Sequence, residues 1–315
     1  MPELPEVTTT VNGLQKVLPG LIFLDAWTDL AKKNPIKQFS GTIKDEVFFK
    51  NFKKKIMRQK VINVERRAKN ILINISGGHT ILIHLKMTGH LLFGEYKKVV
   101  SSKQKVARKI NWIPKNAGPL NDPYNRFIHV VFTFSNGKHL AFCDSRKFGK
   151  VTIIPTKKKH ESIHLKNIGP EPLEKDFTLK EFTNRLYLKP NWKIKTILMD
   201  QSILAGIGNI YSDEMLWASG IHPESNPLKI PKTQLSKLYL EMKKVLTKGI
   251  DFGGDSMSDY RNIDGLRGNF QNEHNVYQKK SHPCGKKGCR GVIIRKVING
   301  RSAHFCNTHQ KLFIN

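Results

Sequence analysis

Apolar residues at helical spacing open the chain. Val7, Val11, Leu14 and Leu18 recur on one face until Pro19-Gly20 ends the pattern, which predicts a helix over about residues 3–18. From there to about residue 155 the pattern changes to strand-like alternation. Ile71, Ile73 and Ile75 alternate, Gly77-Gly78 turns the chain, and residues 80–85 run back. Residues 127–134 reach Asn136-Gly137 and return through 139–143, a strong hairpin signal. Between about 97 and 125 the pattern disappears into lysine, proline and asparagine, which predicts a long mobile loop. Its charge either contacts a polyanion or is simply solvated.

Residues 155–172 carry Pro155, a lysine run and Gly169-Pro170-Glu171-Pro172, the composition of a linker. Helical spacing takes over in 182–188, 194–203, 212–218 and 232–247. Residues 253–275 are polar and glycine-rich, a loop of the kind that carries function. These signals predict an α+β multidomain protein. A β-rich domain led by a helix spans 1–155 (with the basic loop 97–125), a helical domain 156–276, and a small tail domain 277–315.

Charge narrows the partners. Lys+Arg 54 against Asp+Glu 25 gives a formal net charge of +29 over 315 residues, which favours polyanions. No apolar run approaches the roughly 20 residues of a spanning helix, and the acidic start lacks the apolar core of a secretory leader. The expectation is a soluble intracellular monomer that meets nucleic acid in a DNA-containing compartment, with no membrane partner. Three of the four cysteines fall between residues 284 and 306, a crowding that suggests metal rather than disulfides.

The tail spaces its candidate ligands as Cys284-x4-Cys289, then Cys306-x2-His309. Thiolates plus one imidazole suit a closed, tetrahedral, structural zinc ion. Val292-Ile293-Ile294, Asn299-Gly300 and residues 302–305 between the pairs predict a ribbon-like hairpin with Arg301 at its tip, where a guanidinium can reach a phosphate. His282 and His304 rival His309 as fourth ligand. In the helical domain, Gly206-Ile207-Gly208-Asn209 precedes a helix whose free amides can take a phosphate; a tight helical turn would need the same glycines. At the start of the chain, trimming Met1 would leave Pro2 as a secondary amine able to form an iminium ion, with Glu3 and Glu6 one helical turn apart to move protons. Alternatively, Pro2 only starts the helix and the glutamates complement its dipole.

Together these pieces resemble the formamidopyrimidine-DNA glycosylase / endonuclease VIII family of base-excision repair enzymes. The matching elements, in the family's order, are MPELPEV at 1–7, ERRAKNI at 65–71, HLKMTG at 84–89, DSRKFG at 144–149, MDQSILAGIGNIYSDE at 199–214 and the cysteine-rich tail. The resemblance implies a helix-led β-sandwich, a helix–two-turn–helix domain and a zinc finger. It further implies a bifunctional DNA glycosylase and abasic-site lyase acting on oxidised bases in damaged double-stranded DNA. In that scheme Pro2 attacks C1′, Glu3 is the general acid/base, Glu6 holds the amine end, and two eliminations leave a one-nucleotide gap. Lys69, Asn209 and Arg301 would bind phosphates. Met87, Arg146 and Phe148 would fill the space vacated by the everted base. One structural zinc would be the cofactor.

Departures accompany the matches. Lys86 stands where the family often has glycine, Ser145-Arg146-Lys147 replaces the commoner Pro-Arg-Arg, and the finger has Cys-x4-Cys and Cys-x2-His where four cysteines are usual. The motifs MPELPEV and DSRKFG lean toward formamidopyrimidine and 8-oxoguanine substrates, with oxidised pyrimidines second because lesion contacts would fall in 253–275. A non-catalytic zinc-ribbon DNA-binding protein of the same fold is the alternative, which Pro2-Glu3 argues against.

Overall fold

The computed structural model describes residues 1–33, 35–36, 40–101 and 109–314. Its first compact unit gathers Met1–Pro2, Glu6–Leu165 and Gly253–Asn269; its second gathers Glu3–Pro5, Lys166–Phe252 and Phe270–Asn315. This differs from the boundaries expected above. Residues 156–165 and the loop 253–269 pack with the first unit, and the tail packs with the helical unit instead of standing as a third.

In the first unit, helix α1 (Leu4–Val17) is followed by β1 (Phe23–Thr28), α2 (Glu46–Ile56), β2 (Val61–Arg67), β3 (Asn70–Ile75), β4 (His79–His84) and β5 (His90–Gly94). Then come β6 (Tyr96–Ser101), β7 (Lys109–Pro114), β8 (Ile128–Phe134), β9 (His139–Cys143) and β10 (Lys150–Pro155). Two four-stranded antiparallel sheets, ordered β1-β8-β9-β5 and β10-β4-β3-β2, face each other. Ile71, Ile73, Ile81 and Ile83 from one sheet share a core with Val130, Phe132, Leu140 and Phe142 from the other, closed by Val7, Val11, Leu14 and Leu18 of α1. At about 25 cal/mol per Å² of apolar surface removed from water, this shared core dominates the unit's stability.

Two expectations need correcting. Helix α2 lies in a stretch read as strand-like. Asp45 caps it by accepting from the Val47 and Phe48 amides, and Phe52 and Ile56 bury its inner face. The basic stretch 97–125 is not one loose loop. Its described residues build the β6–β7 hairpin, then short turns of 3-10 helix at Pro119–Asn121 and Pro123–Arg126. Tyr96, Trp112, Leu120 and Phe127 lie over Leu92, Val131 and Ala141, the outer face of the β8–β9–β5 sheet. Lysines on the exposed positions hid the alternation. Residues 102–108 of that stretch lie outside the described residues.

The second unit contains α3 (Leu179–Tyr187), α4 (Ile194–Met199), α5 (Asn209–Ser219) and α6 (Lys232–Asp251), then the hairpin of β11 (Ile293–Ile298) and β12 (Arg301–Cys306). Phe182, Ile197, Leu216, Leu238 and Met242 form its core, which Leu4 enters from the start of the chain. A buried carboxylate is one of the ties between the hairpin and the helices. Asp213 pairs with Lys195 at 2.5 Å and accepts from the His304 amide at 2.9 Å. Such a pair, satisfied on both sides, tolerates loss of neither partner. Among the described residues no helix is long and apolar enough to cross a membrane.

Candidate active site

Pro2 is buried and lies two residues before the first residue of α1. Its neighbour Glu3 is also buried, and Glu3 Oε1 accepts a hydrogen bond from the Ile210 amide at 3.0 Å. That amide belongs to the first turn of α5, where a carboxylate meets the positive end of the helix. The glycine loop is shaped around this contact. A Cβ on Gly208 would lie 2.4 Å from the Glu3 carboxyl carbon, and one on Gly206 (φ +83°) would lie 2.7 Å from Leu4 Cβ. The Leu4 amide donates to Gly206 O at 2.9 Å. The two glycines therefore serve close approach by the start of the chain, and the Ile210 amide is already taken by a carboxylate.

Asn209, the next residue of that loop, is half-buried and hydrogen-bonds Tyr277. Burial raises the Tyr277 hydroxyl above its ordinary range, more than the Asn209 bond lowers it. Glu214 on α5 holds the following strand of chain, its carboxylate accepting from the Asn275, Val276 and Tyr277 amides.

In the first unit, Glu6 is buried and Glu6 Oε1 accepts from the Asp255 amide at 2.7 Å. Its carbonyl accepts from the Tyr260 hydroxyl and from Thr10 Oγ1, both at 2.9 Å. Gly254 (φ +84°) makes room for it, since a Cβ there would lie 2.8 Å from Glu6 Cγ. Lys69 is buried in the tight turn between β2 and β3, beside Ala68 with φ +51°. Burial, then the charges of Lys86, Lys69 and Lys150, push His84 down to about 3, so its imidazole is neutral.

The structure brings Met87, Arg146 and Phe148 together. Residues 86–89 and 144–149 are tied by the buried Asp144, whose carboxylate accepts from Thr88 Oγ1, from the Arg146 amide at 3.3 Å and from the Gly149 amide at 2.6 Å. The Arg146 amide also reaches Thr88 Oγ1 at 3.2 Å. Lys86 (φ +56°) and Lys147 (φ +57°) hold left-handed backbone, which costs free energy without a glycine. Met87 is 38% exposed and Phe148 51%, so neither is a core side chain, and the Arg146 guanidinium lies 4.6 Å above the Phe148 ring. Met87 and Phe148 line a cavity of about 480 Å³ with Met1, Thr42, Lys44, Lys86 and Lys150. Sequence reasoning gave Asp144 no role, although it begins the 144–149 motif.

The tail forms a ligand cluster. The ligand atoms of Cys284, Cys289, Cys306 and His309 all lie within 4.8 Å of one another. Cys289 and Cys306 Sγ are 3.7 Å apart, matching the roughly 3.8 Å edge of a tetrahedron with metal–sulfur bonds of about 2.3 Å. His309 turns Nδ1 toward Cys284 Sγ at 3.0 Å while Nε2 meets Trp217 O at 3.0 Å, the outer hydrogen bond a ligating imidazole uses. Burial raises the Cys306 thiol, but hydrogen bonds from His309 and the Thr308 backbone outweigh it and bring the group down to about 6. The donors fit one metal ion. His304 is instead occupied by Asp213 (3.2 Å), and His282 is outside the cluster. Arg301 is exposed at the hairpin tip beside Asn299 (φ +47°) and Gly300 (φ +73°).

Comparison with known proteins matches the formamidopyrimidine-DNA glycosylase N-terminal domain over residues 1–151 and the formamidopyrimidine-DNA glycosylase H2TH domain over 168–261. A formamidopyrimidine-DNA glycosylase of Pelotomaculum thermopropionicum is 35% identical, covering 99% of this chain and 100% of that one. One from Pediococcus pentosaceus is 33% identical over 97% and 98% of the two chains. The Lactococcus lactis Fpg, solved with abasic-site DNA, superposes with a TM-score of 0.78 at 28% identity, covering 98% of this chain and 99% of that one. The same protein was solved with DNA containing N7-benzyl-Fapy-dG, with a TM-score of 0.77 at 28% identity and coverage of 97% and 98%. By full-length identity and by fold, the chain belongs to the formamidopyrimidine-DNA glycosylase family.

Proposed function

We propose that this chain is a bifunctional DNA glycosylase and abasic-site lyase that excises oxidised bases from duplex DNA. Formamidopyrimidines and 8-oxoguanine are its first substrates, oxidised pyrimidines its second. The observation that carries this reading is the fit of the glycine loop to Glu3, where Gly208 leaves room for the carboxylate and the Ile210 amide receives it. A protein that only bound DNA would not need an acid built in next to Pro2. The relatives' names and the DNA in the Lactococcus lactis complexes support the substrate class.

In this mechanism removal of Met1 converts Pro2 to a secondary amine. Its nitrogen attacks C1′ as the C1′–base bond breaks, and the base leaves protonated. Glu3 passes protons at the sugar so that the ring opens to an iminium ion. The iminium draws electrons from C2′ after loss of a proton there, expelling the 3′ phosphate; a second elimination expels the 5′ phosphate. Glu6, held by the Asp255 amide, fixes the start of α1. Lys69, Asn209 and Arg301 bind phosphates, and Met87, Arg146 and Phe148 occupy the stack vacated by the everted nucleotide. Zinc is the metal of the Cys284, Cys289, Cys306 and His309 cluster, where it supplies structure and no chemistry.

Borohydride reduction in the presence of a duplex carrying an abasic site tests this. A covalent protein–DNA adduct mapping to Pro2 is expected. Absence of the adduct, with Met1 removed and duplex binding intact, would leave the non-catalytic DNA-binding reading.

A further inference from the structure

Beside Met87 and Phe148 the first unit concentrates positive charge that the chemistry above does not use. Lys44, Lys86 and Lys150 line the cavity of about 480 Å³, and Met1 lines it too, which sets it next to Pro2. Among the described residues no carboxylate lines it. Asp144 lies near, but its oxygens already serve Thr88, Arg146 and Gly149. Lys44 is buried and donates to Lys147 O at 2.7 Å, which ties it to the 144–149 loop. Lys150 Nζ donates to His164 Nδ1 at 3.1 Å.

The cluster is held at a cost. Burial lowers the Lys44 ammonium against the pull of Asp144, and Lys86 lowers it further. Burial and then Lys86 lower Lys150. Burial, Lys150 and Lys86 lower His164 below its ordinary 6.5, so its imidazole is neutral at pH 7. Lys86 is exposed, departs from the glycine common in the family, and holds φ +56°, a left-handed backbone that glycine adopts freely. Backbone strain and like-charge repulsion thus meet at one cavity. An anion between the ammonium groups offsets the repulsion.

We propose that Lys44, Lys86 and Lys150 form a further phosphate site, which takes one backbone phosphodiester of the duplex beside Pro2, Met87 and Phe148. It adds to the phosphates assigned to Lys69, Asn209 and Arg301. The inference rests on duplex binding, which the reading above shares with its non-catalytic alternative. A phosphodiester brings one negative charge and oxygens that accept from several ammonium groups. His164, being neutral, accepts from Lys150 and holds it without cancelling its charge. Inorganic phosphate offers the same oxygens, and the test separates the two.

The experiment replaces single phosphates around a non-cleavable abasic-site analogue by neutral methylphosphonate, one position at a time. Duplex affinity is measured for the unmodified protein, Lys86→Gly, Lys150→Met, the double variant, Lys86→Arg and a control, Lys175→Met, which removes an exposed lysine of the second unit. Lys86→Gly and Lys150→Met should each weaken binding about 3- to 10-fold, and the double variant should flatten the salt slope by about 0.9, one phosphate's worth. One methylphosphonate position that weakens the unmodified protein should be silent in both single variants. Lys86→Arg should keep affinity within about 2-fold, and Lys175→Met should keep the salt slope. Because glycine relieves φ +56° and the repulsion, Lys86→Gly should unfold at the same or a higher urea midpoint while binding less.

No silenced position, different positions silenced by the two variants, or an equal slope loss in Lys175→Met would each overturn the site. So would a lower urea midpoint in Lys86→Gly alongside its weaker binding. Inorganic phosphate that displaces duplex better than sulfate at equal ionic strength, with no silenced position, would give the pocket to the free ion and overturn the duplex assignment. Unmodified protein that binds no duplex would overturn the DNA reading itself.

Discussion

Thr88 donates its hydroxyl to the buried Asp144 carboxylate, and this bond joins the two loops that display Met87 on one side and Arg146 and Phe148 on the other. The same carboxylate accepts the Arg146 and Gly149 amides, and a carboxylate accepting several donors is worth more than the sum of exposed contacts. Asp144→Asn keeps the shape but turns an amide NH2, itself a donor, toward groups that donate. A loss of about 2 kcal/mol in unfolding free energy is expected, together with weaker discrimination between lesion and undamaged duplex. An unchanged denaturation midpoint would show that Asp144 is not the tie.

Pro2→Gly exposes a primary amine of different reach and basicity in place of the ring nitrogen. Strand cleavage at an abasic site should fall by about 100-fold or more, while duplex affinity measured by fluorescence anisotropy stays within about 2-fold. Cleavage at the unmodified rate would remove Pro2 from the chemistry.

Gly208→Ala puts a methyl group 2.4 Å from the Glu3 carboxyl carbon. The contact cannot persist, so either the Glu3–Ile210 bond or the start of α5 must give way, at a cost of about 1–3 kcal/mol. Base release and borohydride trapping should fall together. A variant with full trapping would mean that the Glu3 position is not required.

Cys306→Ala removes one of four donors that lie within 4.8 Å of one another. Elemental analysis of the purified protein should show about one zinc per chain in the unmodified form and none in the variant. Because ligation is coupled to folding of the hairpin, duplex affinity should drop and its salt dependence flatten. Unchanged metal content would refute the ligand assignment.

His84 provides a pH test. Burial and then the surrounding lysines hold it at about 3 in the folded chain, against an ordinary 6.5. The unfolded chain therefore binds the proton more readily, so stability is full above about pH 6.5 and declines as pH falls from there toward 3. His84→Gln should remove that part of the slope between pH 6.5 and 4 in urea titrations. An identical slope would place the acid sensitivity elsewhere.

The β-sandwich strands and the ribbon hairpin were legible because a period of two is short and Asn-Gly marks its turns. The cysteine ligands followed from their spacing, whereas the choice of His309 over His282 and His304 needed the geometry of the cluster. Helix α2 was missed although Asp45, Phe48, Phe52 and Ile56 carry its signal: an N-cap followed by apolar residues four apart. The β6–β7 hairpin was obscured because Lys97, Lys98 and neighbouring charges dominate the composition while Tyr96 and Trp112 do the packing. Asp144, Asp122 and Arg261 were out of reach. Thr88 lies 56 positions from Asp144, and Asp122 lies 139 from Arg261; no local pattern encodes such long-range hydrogen bonds.

The contact between Glu3 and the Ile210 amide spans 207 positions of sequence. On a ribosome the first of these groups emerges long before the second exists, and Leu4 must likewise wait for Gly206. Closing so long a segment is slow and entropically costly. The start of the chain is therefore locked in place only after most of the polypeptide has been made. A fragment truncated before residue 206 would leave Glu3 without the Ile210 amide and Leu4 without Gly206, so its first residues would lack the contacts that fix them.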